Sequence, residues 1–178
     1  MWRDNLESER YRIERVLEIL EHAVGRLGTG AHVSVSLLKD AVAFLRGAEE
    51  AAYEAAQADD SEPTLTACLG YCAAVRRLLA AMEEALRALE LGDATATARL
   101  ARSTREYALL RRDHPRLDDR LLAGTPGRGR ALDGSRESVE LVETDGTWRL
   151  YDRIVEAAAS LDIGVPSALP TARGRQLK

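Results

Sequence analysis

This chain has few cysteines and no long apolar run, and each of these features excludes a class of structure. Only two of the 178 residues are cysteine, Cys68 and Cys72, and their spacing of four places them on one helix face, which argues against a structural disulfide. No apolar run approaches the roughly 20 residues that a membrane-spanning helix requires. The first fifteen residues are too highly charged for a secretory signal. We therefore expect a cytoplasmic protein with no membrane partner.

Neither sign of charge dominates. The 29 acidic and 25 basic residues are interspersed, for a net charge of -4, so no basic stripe is available for nucleic acid. Aromatic residues make up only 4%, whereas Ala, Leu, Glu and Arg are abundant, as in long amphipathic helices. The composition predicts an all-α protein without a nucleic-acid partner, and the length suits one domain with a tail.

Apolar residues recur every three or four positions in four segments, as in helices with one buried face. The predicted helices are Asn5 to Leu27, Ser34 or Ser36 to about Ala58, Pro63 to Gly92, and a fourth capped by Asp93 and continuing to Leu121. Pro115 predicts a kink in the fourth helix near Arg111 to His114. Because the connections are short, we expect an up-and-down antiparallel four-helix bundle over residues 1–122.

The chain beyond the bundle is expected to extend it. Glycine and arginine in 123–135 indicate a flexible linker, and 136–165 is predicted to hold one helix from about Thr147 to Leu161. A hairpin centred on Asp145 and Gly146 is the competing interpretation. The apolar face from Trp148 to Leu161 either covers the bundle of its own chain or packs on a partner protein or a second copy, giving a homodimer. Residues 166–178 are expected to be disordered.

Four sequence runs resemble those of the hemerythrin-like (HHE cation-binding) domain family over roughly Leu6 to Leu122. The runs are Glu9-Arg10-Tyr11-Arg12-Ile13-Glu14-Arg15-Val16-Leu17, Ala43-Phe44-Leu45-Arg46, Cys68-Leu69 followed by Arg76, and Tyr107-Ala108-Leu109-Leu110-Arg111-Arg112-Asp113-His114. The resemblance implies a four-helix bundle in which inward histidines and carboxylates hold an oxo-bridged di-iron centre.

Most positions that carry iron ligands in that family hold other residues here. The resemblance places Arg10 or Tyr11 at the helix-one histidine, residues from Tyr53 to Gln57 at the histidine-rich motif, and Tyr71 with Cys72 at the helix-three ligands. The helix-four motif alone survives, as His114 followed by Asp118 and Asp119. With three histidines in the whole chain, we expect no di-iron centre and no cofactor. Iron is the alternative, or a single zinc or copper ion held by Cys68, Cys72 and His114.

The vacated centre should then be unusually polar, and its predicted pocket residues are Arg10, Tyr11, Tyr53, Gln57, Cys72, His114 and Asp119. One interpretation pairs Arg10 with Asp118 or Asp119 in a hydrogen-bond network that replaces the metal charge. Another is a cavity that binds a small organic ligand through Tyr53, His114 and Asp119. The pairs Arg76-Arg77 and Arg111-Arg112 are expected on solvated faces.

These observations favour a metal-free protein that binds a small molecule or interacts with another protein. The alternative is a small metabolic enzyme in which His114, oriented by Asp118 or Asp119, acts as a general base, without a cofactor or with one metal ion. An iron- or oxygen-binding hemerythrin-like protein is the third hypothesis.

Overall fold

The computed structural model describes residues 2–57, 62–114 and 149–161, with side chains described for 10–50, 69–114 and 149–161. This part of the chain forms five helices and no strand, which confirms the predicted all-α class. The helices are α1 (Trp2–Gly28), α2 (Val35–Gln57), α3 (Glu62–Glu90), α4 (Ala96–Asp113) and α5 (149–159). None of these described helices is both long and apolar enough to cross a membrane.

Two glycines end α1 and α3 by the same backbone arrangement. Gly30 and Gly92 both have a φ of 80°, the left-handed region that other residues avoid. At the end of α3, the N–H of Gly92 donates to the carbonyl of Leu89 at 3.1 Å, and the N–H of Asp93 donates to that of Ala88 at 3.0 Å. This pair of bonds satisfies carbonyls that the helix leaves without partners, so the chain reverses in few residues.

The start of α4 differs in detail from the prediction. Asp93 was expected to cap the helix directly, but the N-cap residue is Thr95, and its side chain makes no cap hydrogen bond. Asp93 Oδ1 instead accepts hydrogen bonds from the backbone N–H and the hydroxyl of Thr95, both at 2.8 Å. These bonds lower the pKa of the Asp93 carboxyl, the backbone N–H contributing most. Asp93 therefore stabilises the turn before α4 and does not cap the first N–H groups of the helix.

Within the described residues, α4 ends at Asp113, inside the segment Arg111 to His114 where a kink was predicted. His114 is the C-cap residue, and its N–H donates to the carbonyl of Arg111 at 3.3 Å. The next residue is proline, which disfavours helical geometry in the residue before it. The predicted continuation through Leu117 and Leu121 lies outside the described residues, as do the linker 123–135 and the tail 166–178.

The four long helices pack in a ring around one core. Helix α1 contacts α2 and α4, and α3 contacts the same two helices. Fully buried aliphatic side chains from all four fill the space between them; the largest are Ile19, Leu20, Leu38, Leu45, Leu79, Met82, Leu86 and Leu100. Lys39 pairs with Glu90, and Arg46 pairs with Glu83, both at 2.5 Å. The residue number increases along α2 from the first pair to the second but decreases along α3, so the two helices run antiparallel.

The predicted C-terminal helix exists over residues 149–159, where the competing hairpin would have placed a strand. It packs on α1 and α2 of its own chain, since Arg26 of α1 donates to the carbonyl of Leu161 and Arg153 pairs with Asp40 of α2. Ile154 and Ala158 are fully buried and belong to the same core. The Tyr151 and Phe44 rings lie 6.0 Å apart. Trp148, at the start of the predicted apolar face, lies outside the described residues. The same chain therefore covers the described part of this face.

Candidate functional site

An ion pair lies inside the protein between α2 and α4. Arg111 Nη1 and Glu49 Oε1 are 2.5 Å apart, and their side chains are only 6% and 5% exposed. The same Glu49 oxygen accepts a hydrogen bond from the hydroxyl of Tyr107 at 2.7 Å, and Tyr107 is fully buried. The Arg111 guanidinium also lies 5.9 Å from the centre of the Tyr107 ring. We call Glu49, Tyr107 and Arg111 the interior polar cluster.

Helical spacing explains why these three side chains point inward. On α2, Glu49 follows the buried residues Leu38, Val42 and Leu45 at intervals of four, three and four. On α4, Tyr107 and Arg111 continue the buried positions Leu100 and Thr104 at the same spacing. A carboxylate and a guanidinium thus occupy positions that the helical period assigns to apolar side chains.

Sequence reasoning missed this cluster. Arg111 was expected on a solvated face together with Arg112, which is wrong for Arg111 and right for Arg112, whose side chain is 64% exposed. Glu49 was not singled out at all. The available signal was the interruption of two regular apolar stripes by charged residues of opposite sign, one on α2 and one on α4.

Burial controls the protonation of Tyr107. Burial raises the pKa of the Tyr107 hydroxyl well above its ordinary value of 10.0, and the negative charge of Glu49 raises it further, while Arg111 opposes this effect. Tyr107 therefore stays neutral and donates to Glu49, as the observed geometry requires. A buried charge without a partner is strongly unfavourable, so each member of the Glu49–Arg111 pair makes the other tolerable.

Of the positions suggested by the family resemblance, Tyr71, Cys72 and His114 have described side chains on α3 and at the end of α4. Tyr71 and Cys72 on α3 are buried, 4% and 3% exposed. The Tyr71 hydroxyl is near enough to act electrostatically on Tyr107. The ring of His114 lies 5.7 Å from that of Tyr71, and its Nδ1 is 2.9 Å from the carbonyl oxygen of Leu110.

A cleft of about 360 Å³ opens between α1 and α4 on the outer side of Arg111. Its floor is formed by three buried residues, Leu17, Ala108 and Arg111. Its rim is more exposed and charged; it consists of Arg10, Glu14, Glu18, Glu21 and Arg112. Arg112 crosses the cleft to Glu21, with a nitrogen-to-oxygen distance of 3.3 Å. Arg111 thus belongs both to the interior polar cluster and to the lining of this cleft.

The two helix-one candidates do not lie in the interior. Tyr11 is 43% exposed, so its prediction as a pocket residue is wrong. The Arg10 side chain is 40% exposed and pairs with Glu14 at 3.0 Å along the same helix. Arg10 therefore lines the rim of the cleft, and the buried guanidinium is that of Arg111. An arginine paired with a carboxylate was expected for Arg10, and among the described residues Arg111 and Glu49 form such a pair in the interior.

The remaining predicted site residues have side chains outside the described part of the chain. Tyr53 and Gln57 belong to the last turns of α2, where side chains lie outside the described residues, and so does the side chain of Cys68 on α3. Asp118 and Asp119 follow α4 and also fall outside the described part. The proposed pairing of Arg10 with Asp118 or Asp119, and of His114 with either carboxylate, therefore stays a prediction.

The described residues at the suggested ligand positions do not fit a di-iron centre. They supply an arginine, two tyrosines, a cysteine and one histidine, whereas such a centre requires several converging imidazoles and carboxylates. Glu49, the buried carboxylate nearest to them, is held by Arg111 and Tyr107. Among the described side chains, no three His, Cys, Asp or Glu residues come close enough together to hold a metal ion.

A second, shallower hollow of about 250 Å³ lies between α2 and α3. It is lined by Lys39, Val42, Ala43, Glu83, Leu86 and Arg87. Two of its charged groups are engaged at the edges, since Lys39 binds Glu90 and Glu83 binds Arg46. No buried charged side chain lines it, so the cleft between α1 and α4 is the better candidate for recognition of a polar molecule.

Comparison with known proteins adds no relative. No family model matches this chain, and neither a curated protein nor a solved structure matches it.

Proposed function

We propose that this protein is a metal-free binding protein that holds a small organic molecule in the cleft between α1 and α4. The observation that carries this proposal is the position of Arg111. Its side chain is 6% exposed and held from inside by Glu49, yet it forms part of the cleft floor. An arginine held in place at the base of a concave, partly apolar site would offer positive charge to a carboxylate in a defined orientation.

The charges of the two walls narrow the class of ligand. The α1 wall contributes Arg10 with the three glutamates Glu14, Glu18 and Glu21, whereas the α4 wall contributes Arg111 and Arg112. The walls therefore carry opposite net charge. A molecule with both a carboxylate and an ammonium group would place each group against the wall of opposite charge. A polyphosphate carries only negative charge and would be repelled by the three glutamates. The proposed ligand is a small zwitterion of the size of an amino acid.

The interior polar cluster gives this site its rigidity. Arg111 has little freedom to turn because Glu49 and Tyr107 hold one side of its guanidinium. A side chain that is already ordered loses less conformational entropy when a ligand binds. Charged groups in a core contribute little to net stability. The interior polar cluster is therefore interpreted as a support that holds Arg111 in place for ligand binding.

The test is a binding titration with defined probes. A panel of α-amino acids is titrated against the full chain by isothermal calorimetry, with matched carboxylates and amines that carry only one of the two charges. At least one amino acid should bind more tightly than either single-charge analogue. It should also raise the unfolding temperature, since a ligand that binds only the folded state stabilises it.

Two arginine variants locate the site. Arg112→Gln removes a positive charge from the rim of the cleft and should weaken binding about threefold to fivefold. Arg102→Gln is the matched control, because Arg102 lies on the same helix, is 83% exposed and does not line the cleft. Saturable binding that is unchanged in Arg112→Gln, or stronger binding of single-charge analogues, would refute the zwitterion site.

We also infer that the four long helices run alternately up and down, as the hemerythrin-like resemblance suggests. Two ion pairs make α2 antiparallel to α3. Short connections join α1 to α2 and α3 to α4, each beginning at a glycine with positive φ. This topology brings the end of α4 beside the middle of α1, where the cleft is lined by residues from Arg10 to Glu21.

A further inference from the structure

Helix α5 fills a groove between α1 and α2 with one apolar face. Ile154 and Ala158, one helical turn apart, are fully buried. Five partly buried neighbours pack around them against the core: Leu150, Tyr151, Val155, Ala157 and Leu161. Anchors repeated every three or four residues are the pattern by which an amphipathic helix is recognised in a groove. The exposed face carries Asp152, Arg153 and Glu156.

Polar contacts set the direction of α5 in this groove. Arg26 of α1 donates a hydrogen bond to the carbonyl oxygen of Leu161, at the carboxyl end of α5. Arg153 pairs with Asp40 of α2 at 3.3 Å. Tyr151 lies near Arg12 and Arg15 in the first half of α1, whereas Leu161 lies near its end. Helix α5 therefore runs parallel to α1, and a helix inserted in the opposite direction would lose these contacts.

The groove also contains a feature that opposes tight docking. The Arg15 side chain is 7% exposed; its Nη1 binds Glu18 at 3.0 Å, but its buried Nη2 has no hydrogen-bond partner among the described residues. Burial lowers the pKa of the neighbouring Arg12, although Tyr151 and Asp152 of α5 partly offset this effect. Release of α5 would return water to both guanidinium groups. Docking by apolar contact is thus opposed by desolvation of charge.

The chain between α4 and α5 is much longer than its endpoints require. Arg112 of α4 pairs with Glu21 of α1, and Tyr151 of α5 lies near Arg12 and Arg15, so α4 ends and α5 begins along the middle of α1. The 34 residues 115–148 join them, and a chain of this length spans up to about 110 Å when extended. Such a connection reaches a groove on another molecule as easily as the groove on its own.

We propose that the groove between α1 and α2 is a helix-docking site that also accepts α5 of a second copy, so that two copies exchange their C-terminal helices. The exchanged dimer would contain the same groove contacts as the monomer, because the same sequence occupies the same site. Only the effective concentration of the helix differs, and this favours the monomer in dilute solution. Exchange should therefore appear as the protein concentration rises.

The first test supplies the helix as a separate peptide. A fluorescent peptide of residues 149–161 is titrated by anisotropy against the full wild-type chain and the full Ile154→Asp chain. An aspartate at this fully buried position should release the chain's own helix and leave the groove open. The peptide should therefore bind the Ile154→Asp chain at least about tenfold more tightly than wild type.

Two controls separate docking from a general loss of structure. Ala159→Asp places the same charge on the exposed face of α5, so this chain should bind the peptide as wild type does. A peptide carrying Ile154→Asp should not bind either chain. Failure of the wild-type peptide to bind an Ile154→Asp chain that retains wild-type helical content would overturn the proposal.

A charge exchange tests the groove without disturbing the core. Asp40→Arg in a chain that also carries Ile154→Asp should weaken binding of the wild-type peptide, because an arginine at this position of α2 would face the peptide's Arg153. A peptide with Arg153→Asp should bind this chain better than the wild-type peptide does. Loss of this reciprocal preference would show that the peptide binds elsewhere and would refute the assigned groove.

Light scattering then tests the exchange between copies. Concentrated wild-type and Ala159→Asp chains should contain dimer that dissociates slowly on dilution, whereas Ile154→Asp chains should remain monomeric. Peptide binding without any wild-type dimer would overturn the second copy as occupant and point to a helix of another protein. Both results are independent of the zwitterion cleft, which lies between α1 and α4.

Discussion

Arg111 and Glu49 form an ion pair through the interior of the protein, with 2.5 Å between nitrogen and oxygen. Their side chains come from α4 and α2, two helices that do not neighbour each other in the ring of four long helices. The pair thus spans the core, and Tyr107 binds the same carboxylate oxygen. Its consequences for stability and for ligand binding can be tested separately.

Removal of one partner should be costly. Glu49→Ala leaves the Arg111 charge buried without its carboxylate, and we expect the free energy of unfolding to fall by about 3–5 kcal/mol. Urea denaturation of the full chain measures this change. The matched control is Glu50→Ala, because Glu50 is 51% exposed and only contacts Arg46 at 3.6 Å; its effect should stay below about 1 kcal/mol. Equal effects of the two substitutions would contradict the role given to the interior pair.

Replacement of the whole interior polar cluster by apolar residues should not lower the stability of the protein. Glu49→Leu, Tyr107→Phe and Arg111→Met together remove every polar group of the cluster, so none is left without a partner. Stability should be unchanged or raised by about 1–4 kcal/mol. Binding of the zwitterionic probe should nevertheless be lost, since the cleft floor no longer carries a guanidinium. A stable triple variant that still binds the probe with wild-type affinity would refute the role of Arg111.

Alkaline pH should destabilise the protein through Tyr107. Burial raises the pKa of this hydroxyl above 10.0 in the folded state, so its contribution is fully present below pH 10.0 and is lost as the pH rises through the folded-state value. Tyr107→Phe should therefore show a shallower decline in unfolding free energy above about pH 10. Urea denaturation over this range, with phenolate absorbance, provides the measurement. Tyr11→Phe is the control, because Tyr11 is 43% exposed and should leave the slope unchanged.

Two glycines, one within α3 and one just after it, should respond in opposite directions to the same substitution. Gly92 has a φ of 80°, so Gly92→Ala forces a side chain into the left-handed region and should cost about 1–2 kcal/mol. Gly70 lies within the helix, and a Cβ there meets nothing within 4 Å. Gly70→Ala should therefore raise stability by about 0.5–1 kcal/mol. Thermal or urea unfolding distinguishes the two, and a stabilised Gly92→Ala would contradict the assigned helix end.

Much of the secondary structure was accessible to sequence reasoning because its signals are local. The first helix was predicted from Asn5 to Leu27 and is observed as Trp2–Gly28, and the third was correctly ended near Gly92. The fourth helix ends at Asp113 within the described residues, and its predicted continuation past Pro115 stays a prediction. Period and turn chemistry thus located the helices.

The sequence predicted which types of residue share the interior but not which particular residues meet there. An arginine, a carboxylate and a tyrosine were expected to share the interior, and the structure brings Arg111, Glu49 and Tyr107 together there. The sequence analysis had assigned the arginine to Arg10, which pairs with its own helix neighbour Glu14. A family-based register of ligand positions directed attention to α1, while the charged interruptions of the apolar stripes on α2 and α4 were overlooked.

The sequence by itself determined the all-helical class, the approximate bounds of the helices and the glycine turns, because spacing, capping and backbone preference act within a few residues. Only the tertiary structure decided that Glu49 meets Arg111, that the cleft lies between α1 and α4, and that α5 covers α1 and α2 of its own chain. These pairings depend on which helix faces meet and in what rotation, and residues far apart in the chain set that choice through packing of the whole core.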